Sequence, residues 1–349
     1  MHQRPYWLGT AAWVTAAWVT AAWVTAAGLA VGGCAAGGGQ SAAPSVVPPA
    51  PAGVTQYVAG FQALQAGQPE QAEANLKQAV EINPDLRMAR KLLGEIYRDR
   101  GDYTAALPHF EALTVLDPYS ALNFYKLGVS YHVLQRLAES RRAYERSLEL
   151  DPAAAPTQMN LGLVMLAEGD AQAAVERLTR AVELDPQNPD AWSNLGVALD
   201  VSGNLQSAET AYRRSLELAP DRLATLQNLG SNLIGQGRGI EASLILQRVV
   251  EASPSPVAYK RLGDALVAGE RPEQAMQAYT TAIQRAPRYL PAINALADLH
   301  IGLYTRGLEL EESHRRRAVE LWRQSLAVNP NQPRVGAQLE KWSNPSLFN

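Results

Sequence analysis

Cysteine is almost absent from this chain, since Cys34 is the only one among 349 residues. A single cysteine cannot form a disulfide within the chain, so a disulfide framework is excluded. The scarcity of cysteine also excludes the structural zinc sites that are built from several cysteine ligands. The five histidines show no metal-ligand spacing. We therefore expect neither a metal nor a cofactor.

Charge is missing from the N-terminus and balanced elsewhere. No aspartate or glutamate precedes Glu70, and Arg4 is the only lysine or arginine among the first 56 residues. The formal net charge of the whole chain is −3. Nucleic-acid-binding domains carry a basic patch or stripe. The balance of charges therefore predicts no nucleic-acid partner.

What the chain has is a period of 34 residues. The stretch from Asp190 to Pro220 shows the repeating unit most fully, with Trp192, Leu195-Gly196, Gly203, Ala208 and Tyr212. This unit resembles the tetratricopeptide repeat, which has Trp, Leu-Gly, Tyr, Ala, Phe and Pro at fixed offsets. The resemblance implies an all-α fold, a right-handed superhelical solenoid of helical hairpins. The unit-ending prolines that define the period are Pro84, Pro118, Pro152, Pro186, Pro220 and Pro254.

About eight units fit this pattern, and a helix after them has the character of a terminal cap. The last unit carries nine extra residues, and we expect them to lengthen its two helices around a turn at Gly307. After it, Val335, Leu339 and Trp342 fall on one helical face, as in a capping helix. The predicted units are 53–86, 87–120, 121–154, 155–188, 189–222, 223–255, 256–289 and 290–332, followed by a cap and tail at 333–349.

Residues 1–33 have the anatomy of an export signal. Arg4 precedes 28 uncharged residues from Tyr6 to Gly33, within which Thr-Ala-Ala-Trp-Val occurs three times in tandem. The usual apolar core of a signal peptide is about 7–15 residues long, so the tandem copies explain the excess. A run of this length can also cross a bilayer. An uncleaved membrane anchor and a cleaved soluble protein therefore remain alternatives.

Cys34 follows Leu29-Ala30-Val31-Gly32-Gly33, which resembles the lipobox of bacterial lipoproteins. The resemblance implies that Cys34 is acylated and anchors the chain at the periplasmic face of a bacterial envelope. Ala35, in place of an aspartate, favours the outer membrane. Residues 34–52 are rich in Ala, Gly, Ser and Pro without charge, which predicts a flexible tether.

In this family the first helix of each hairpin lines the inner surface of the superhelix, where ligands commonly bind. Three successive first helices carry Asn-Leu-Gly, and similar asparagines in O-GlcNAc transferase repeats grip the backbone of an extended peptide. The alternative is that these asparagines serve the fold. Asp264 stands one turn after Lys260 and would offset its charge, which argues against a carboxylate clamp. The predicted partner-binding residues are Asn160, Asn194, Asn228, Tyr125, Met159 and Lys260.

Nothing in the sequence predicts catalysis. Gly235-Gln236-Gly237-Arg238-Gly239 resembles a nucleotide-binding loop, but it follows a predicted helix rather than a strand. No nucleophile motif of the Gly-x-Ser-x-Gly kind stands out. We expect a membrane-tethered scaffold that binds proteins or peptides and assembles or localises an envelope complex. The alternative is a regulatory adaptor of an envelope enzyme such as a glycosyltransferase or a cell-wall hydrolase.

Overall fold

The computed structural model describes residues 51–307 and 312–343, in which every element is an α-helix. The predicted export segment, Cys34 and most of the tether lie outside these residues. From α3 to α15, each first helix begins at the first residue of a predicted unit. The helices are α1 Val54–Gln65, α2 Pro69–Ile82, α3 Arg87–Asp99, α4 Tyr103–Leu116, α5 Ala121–Val133, α6 Leu137–Leu150, α7 Ala155–Glu168, α8 Ala171–Leu184, α9 Pro189–Val201, α10 Leu205–Leu218, α11 Leu223–Gly235, α12 Gly239–Ala252, α13 Pro256–Ala268, α14 Pro272–Arg285, α15 Leu290–Arg306, α16 Glu312–Val328 and α17 Pro333–Ser343.

Each second helix from α2 to α14 ends two residues before a proline, and this explains the period in the sequence. Asn83, which follows α2, has φ −136° and ψ 94°, an extended conformation. Proline disfavours the helical conformation in the residue before it and supplies no N–H, so the helix cannot continue. Pro69 and Pro272 instead occupy the first positions of α2 and α14, where the missing N–H is tolerated.

The turn inside most hairpins needs a residue with positive φ. Gly101 provides it between α3 and α4 with φ 77°, and the side chain of Asp102 then caps α4 by accepting a hydrogen bond from the Ala105 N–H at 3.0 Å. Gln135 occupies the corresponding place in the third hairpin and adopts φ 60°. The left-handed conformation is therefore imposed by the hairpin, even where the residue is not a glycine.

The two helices of a hairpin approach closely because a glycine on the first faces a large side chain on the second. A Cβ atom added at Gly94 would lie 2.8 Å from the ring of Phe110, which is fully buried. Gly128 faces Tyr144 in the same way in the next hairpin. Close packing of this kind recurs in successive hairpins, and each hairpin completes its core against its neighbours.

Neighbouring first helices touch one another along much of the solenoid, at α5–α7, α7–α9, α9–α11, α11–α13 and α13–α15. Within the described ranges, no pair of second helices is in comparable contact. In a curved stack, the helices on the inner side are crowded together and those on the outer side are splayed apart. The first helices therefore line the inner side of the curve.

The last hairpin is longer than the others, as its nine extra residues predicted. Its helices α15 and α16 have 17 residues each, whereas the preceding ones have 12 to 14. Gly307 ends α15, and residues 308–311 lie outside the described residues. Helix α17 closes the stack, because Trp342 packs edge-on against Tyr304 and its carbonyl accepts a 2.6 Å hydrogen bond from buried Arg315. None of the helices described is both long and apolar enough to span a bilayer.

Candidate functional site

All six predicted partner-binding residues lie on first helices, and all are half-buried. They follow one another along the solenoid, so they share the surface on which neighbouring first helices touch. The six residues come from different hairpins, because the repeat places each equivalent residue one unit further along the chain. By helix, they are Tyr125 on α5, Met159 and Asn160 on α7, Asn194 on α9, Asn228 on α11 and Lys260 on α13.

The three asparagines differ in what their side chains contact. The Asn160 amide donates a hydrogen bond to the Tyr125 hydroxyl at 3.2 Å. The side chains of Asn194 and Asn228 make no hydrogen bond to any other described residue, and neither has a buried polar atom left unpaired. An amide offers donors and an acceptor together, which suits a peptide group. Two of the three amides are therefore half-buried and make no side-chain hydrogen bond within the described residues.

Several charged side chains on or beside this surface are paired with one another. Lys260 Nζ lies 2.7 Å from Oδ2 of Asp264, as predicted, so Lys260 does not present a free positive charge. Lys126, which is 9% exposed, pairs with Glu95 on the preceding first helix. Arg222 pairs with Asp190 at the junction of the fifth and sixth hairpins. These three pairs therefore contribute no unpaired charge to the surface.

A polar network joins the fifth and sixth hairpins, and it was not predicted from the sequence. Asn232, 3% exposed, donates to the side chain of Asp200 at 2.5 Å and to the Leu205 carbonyl at 2.9 Å. Gln236 reaches the Asn232 amide oxygen at 2.6 Å, and its Nε2 also donates to Glu209 at 3.0 Å. Each residue is polar and typical of a solvated helix face, so the sequence carried no signal for this network.

A cleft of about 320 Å³ lies between the seventh and eighth hairpins. Its apolar wall includes Val267, Leu299 and Leu303, and Arg306 and Asp298 stand among its polar residues. Burial raises the pKa of Asp298, while Arg334 beside it acts in the opposite direction. The cleft depends on the unusual length of α15, which provides residues 299–306, so the standard repeat pattern did not predict it.

The arrangement has no feature of a catalytic centre among the residues described. Within residues 51–307 and 312–343, no three histidine, cysteine or acidic side chains are placed to hold a metal ion together. The fold and its inner surface define a helical-repeat solenoid, a class of protein in which stacked hairpins present an extended binding surface.

Comparison with known families names the class. Models described as tetratricopeptide repeat match residues 59–121, 122–153, 165–229 and 228–289, which together exceed half of the chain. The chain belongs to the tetratricopeptide repeat family. Domains of this family bind peptides or other proteins, and their members are in general non-enzymatic scaffolds.

Similar proteins include a curated relative and two solved structures. Superkiller complex protein 3 of Mus musculus is 32% identical over 103 residues, which is 30% of this chain and only 7% of that protein. The C-terminal part of a TPR repeat-containing protein from Cytophaga hutchinsonii is 17% identical with a TM-score of 0.56, covering 70% of this chain and 98% of its own. PilW, described as a widely conserved type IV pilus biogenesis factor, is 20% identical with a TM-score of 0.50, covering 58% and 94%. At these identities the two structures share the fold alone.

Proposed function

We propose that this protein is a membrane-tethered scaffold of a bacterial envelope, which holds extended segments of partner proteins against its first helices. The observation that carries this proposal is the pair Asn194 and Asn228. Their amides stand on successive first helices, are half-buried, and are used by no other described residue. An asparagine contributes less to helix stability than alanine. An asparagine side chain on a helix that makes no internal hydrogen bond is therefore suited to binding a partner.

The charge pairs on the same surface support an uncharged mode of binding. Because Lys260 and Lys126 are neutralised by Asp264 and Glu95, a partner gains little from complementary charge. Backbone amides of an extended segment can instead pair with Asn194 and Asn228. The half-buried side chains of Met159 and Tyr125 add apolar contact beside them.

Tethering through Cys34 rests on the sequence alone. The apolar segment, the lipobox-like residues before Cys34, and the uncharged tether up to residue 52 support a lipid anchor at the periplasmic face. Labelling of cells with a clickable fatty acid tests it. The wild type should be labelled and the variant Cys34→Ser should not, whereas label retained on the variant would refute the anchor.

Affinity capture from detergent-solubilised envelopes, with the full-length chain as bait, tests the scaffold. We expect a defined partner that binds Asn194→Ala/Asn228→Ala more weakly by about 1–3 kcal/mol, because each neutral hydrogen bond contributes about 0.5–1.5 kcal/mol. The matched control is Asn75→Ala on the second helix α2, which should bind as the wild type does. Equal capture by both variants would contradict the proposal.

The identity of the captured partner then shows in which envelope pathway the protein works. A captured pilus secretin, polysaccharide exporter or cell-wall hydrolase would place the scaffold in one machine. If the captured protein is an enzyme whose rate changes on binding, the chain acts as its regulatory adaptor rather than as an assembly factor.

A further inference from the structure

Three hairpins carry a tyrosine at the same place on the second helix, 16 residues after the glycine of the first helix: Tyr144, Tyr212 and Tyr279. Each is at most 3% exposed, and its ring packs against the facing glycine. The rings are therefore equivalent parts of the core. Their hydroxyl groups are not equivalent.

Two of the three hydroxyls donate to a carboxylate on their own first helix. The Tyr212 hydroxyl donates to Oδ2 of Asp200 at 2.8 Å. The Tyr279 hydroxyl donates to Oδ1 of Asp264 at 2.9 Å. A buried hydroxyl without a hydrogen-bond partner is destabilising, because its O–H group has lost its hydrogen bonds to water. The carboxylate restores an acceptor for this O–H group.

The Tyr144 hydroxyl is buried and has no hydrogen-bond partner. Val129 and His132 stand on α5 where Asp264 and Asp200 stand on their helices. The two polar side chains beside it form their hydrogen bonds elsewhere: Ser140 donates to the Gly128 carbonyl at 2.8 Å, and Asn160 donates to the Tyr125 hydroxyl. Burial raises the pKa of Tyr144, so its hydroxyl keeps its proton and remains a donor.

This orphan donor lies beside two predicted partner-binding residues. The ring of Tyr125 is 6.0 Å from the ring of Tyr144, centroid to centroid, and the Asn160 amide holds the Tyr125 hydroxyl at 3.2 Å. Both Tyr125 and Asn160 are half-buried on first helices, so they connect the hydroxyl to the binding surface.

We infer that Tyr144, Tyr125 and Asn160 form a subsite for an oxygen acceptor of the bound partner, either a carboxylate side chain or a main-chain carbonyl. The acceptor takes the place that Asp200 and Asp264 hold in the fifth and seventh hairpins. Tyr125 and Asn160 exchange their mutual hydrogen bond for contacts with the partner. The subsite rests on the proposed function, because its acceptor comes from the segment bound on the first helices.

A stability experiment tests the subsite without any partner. Tyr144→Phe should leave the melting temperature of the full-length chain unchanged or raise it, because the lost hydroxyl had no partner. Tyr212→Phe should lower it, since that hydroxyl is bonded to Asp200. If Tyr144→Phe lowers the melting temperature as much as Tyr212→Phe does, the hydroxyl already has an internal partner and the inference is overturned.

A supplied acceptor gives a second check. Val129→Asp places a carboxylate where Asp264 stands beside Tyr279, directly after the glycine. Its effect on the melting temperature should be more favourable with Tyr144 present than in the Tyr144→Phe background. An equal effect in both backgrounds would show that no acceptor reaches the hydroxyl.

Binding is measured with dodecapeptides selected from a random display library on the full-length chain in detergent micelles. We expect Tyr144→Phe to weaken the selected peptides about tenfold, in line with one hydrogen bond to a charged or carbonyl oxygen. Replacing each peptide Asp or Glu by its amide identifies the acceptor oxygen. A loss of affinity shows that the acceptor is a carboxylate, and an unchanged affinity shows that it is a main-chain carbonyl. If the peptides bind Asn194→Ala/Asn228→Ala more weakly but bind Tyr144→Phe as they bind the wild type, this inference alone is overturned. If no selected peptide binds Asn194→Ala/Asn228→Ala more weakly, the proposed function itself is contradicted.

Discussion

The Nδ1 atoms of His300 and His314 lie 2.8 Å apart, across the last hairpin from α15 to α16. Only one of two such nitrogens carries a proton when both rings are neutral, so one ring donates and the other accepts. Burial, with His314 and Arg317 nearby, lowers the pKa of His300 to about 4. This site therefore favours the neutral form of the His300 imidazole.

Stability should consequently fall in acid. Burial also lowers the pKa of His109 to about 4, and it lowers the pKa of His132. An unfolded histidine titrates near 6.5, so below that pH the unfolded chain binds more protons than the folded one. We expect the melting temperature to be constant above about pH 7 and to fall by several degrees between pH 6.5 and 4. The variant His300→Gln/His314→Gln should show a shallower fall in the same thermal scans, and an identical pH profile would contradict this assignment.

Among the glycines of the described residues, Gly239 leaves the least room for a side chain. A Cβ atom added there would lie 2.1 Å from the backbone nitrogen of Gly269 and 2.2 Å from the carbonyl carbon of Ala268. Backbone atoms cannot move aside as side chains can, so Gly239→Ala should destabilise the array by about 1–3 kcal/mol. The control is Gly302→Ala in α15, where the added Cβ meets nothing within 4 Å and should be neutral or stabilising. Urea unfolding of both variants checks this, and equal midpoints would refute it.

Gln135 is a site where a glycine should improve stability. Its φ of 60° lies in the left-handed region, where the equivalent Gly101 has φ 77°. The conformation costs an L-residue about 1–2 kcal/mol, partly offset by the greater flexibility of an unfolded glycine. We expect Gln135→Gly to gain about 0.5–1 kcal/mol in thermal or urea unfolding and Gly101→Ala to lose a similar amount. A loss of stability in Gln135→Gly would show that the side chain contributes more than the strain removes.

The pair of Lys126 and Glu95 links the second and third hairpins asymmetrically. The Lys126 side chain is 9% exposed and that of Glu95 is 26% exposed. Removing Glu95 strands a buried ammonium group, so Glu95→Leu should cost about 1–3 kcal/mol. Lys126→Met leaves the more exposed carboxylate, which water can reach, and should cost less. Unfolding free energies in the reverse order would show that Glu95, not Lys126, is the partner that depends on the pair.

The three asparagines should separate in stability. Asn160→Ala removes the hydrogen bond to Tyr125 and should lose about 0.5–1.5 kcal/mol, less the gain from alanine as the better helix former. Asn194→Ala and Asn228→Ala break no bond within the described residues and should be as stable as the wild type or slightly more stable. Thermal melting decides, and a drop of many degrees in the latter two would assign them to the fold rather than to binding.

Much of the fold could be predicted because its signals are local. Prolines at 34-residue intervals end the second helices from α2 to α12. Each acts through its own ring and its effect on the preceding residue, and neither depends on distant contacts. The glycine that faces Phe110 and the turn at Gly101 follow from the same repeat, and the extra residues of the last unit do lengthen α15 and α16. The tetratricopeptide fold and its capping helix were therefore determined by the order of the residues alone.

The use of each polar side chain was decided only by the stacking of one hairpin on the next. Asn160 and Asn194 occupy the same repeat position and are both followed by Leu-Gly, yet only Asn160 finds a partner, because Tyr125 stands one hairpin earlier. Likewise Tyr144 and Tyr212 occupy the same repeat position, but only Tyr212 meets a carboxylate. Such contacts join residues 12 to 35 positions apart, at distances set by how helices pack. A hydrogen bond weakens steeply with distance and angle, so a pattern of residue types cannot determine which of these groups remain free for a partner.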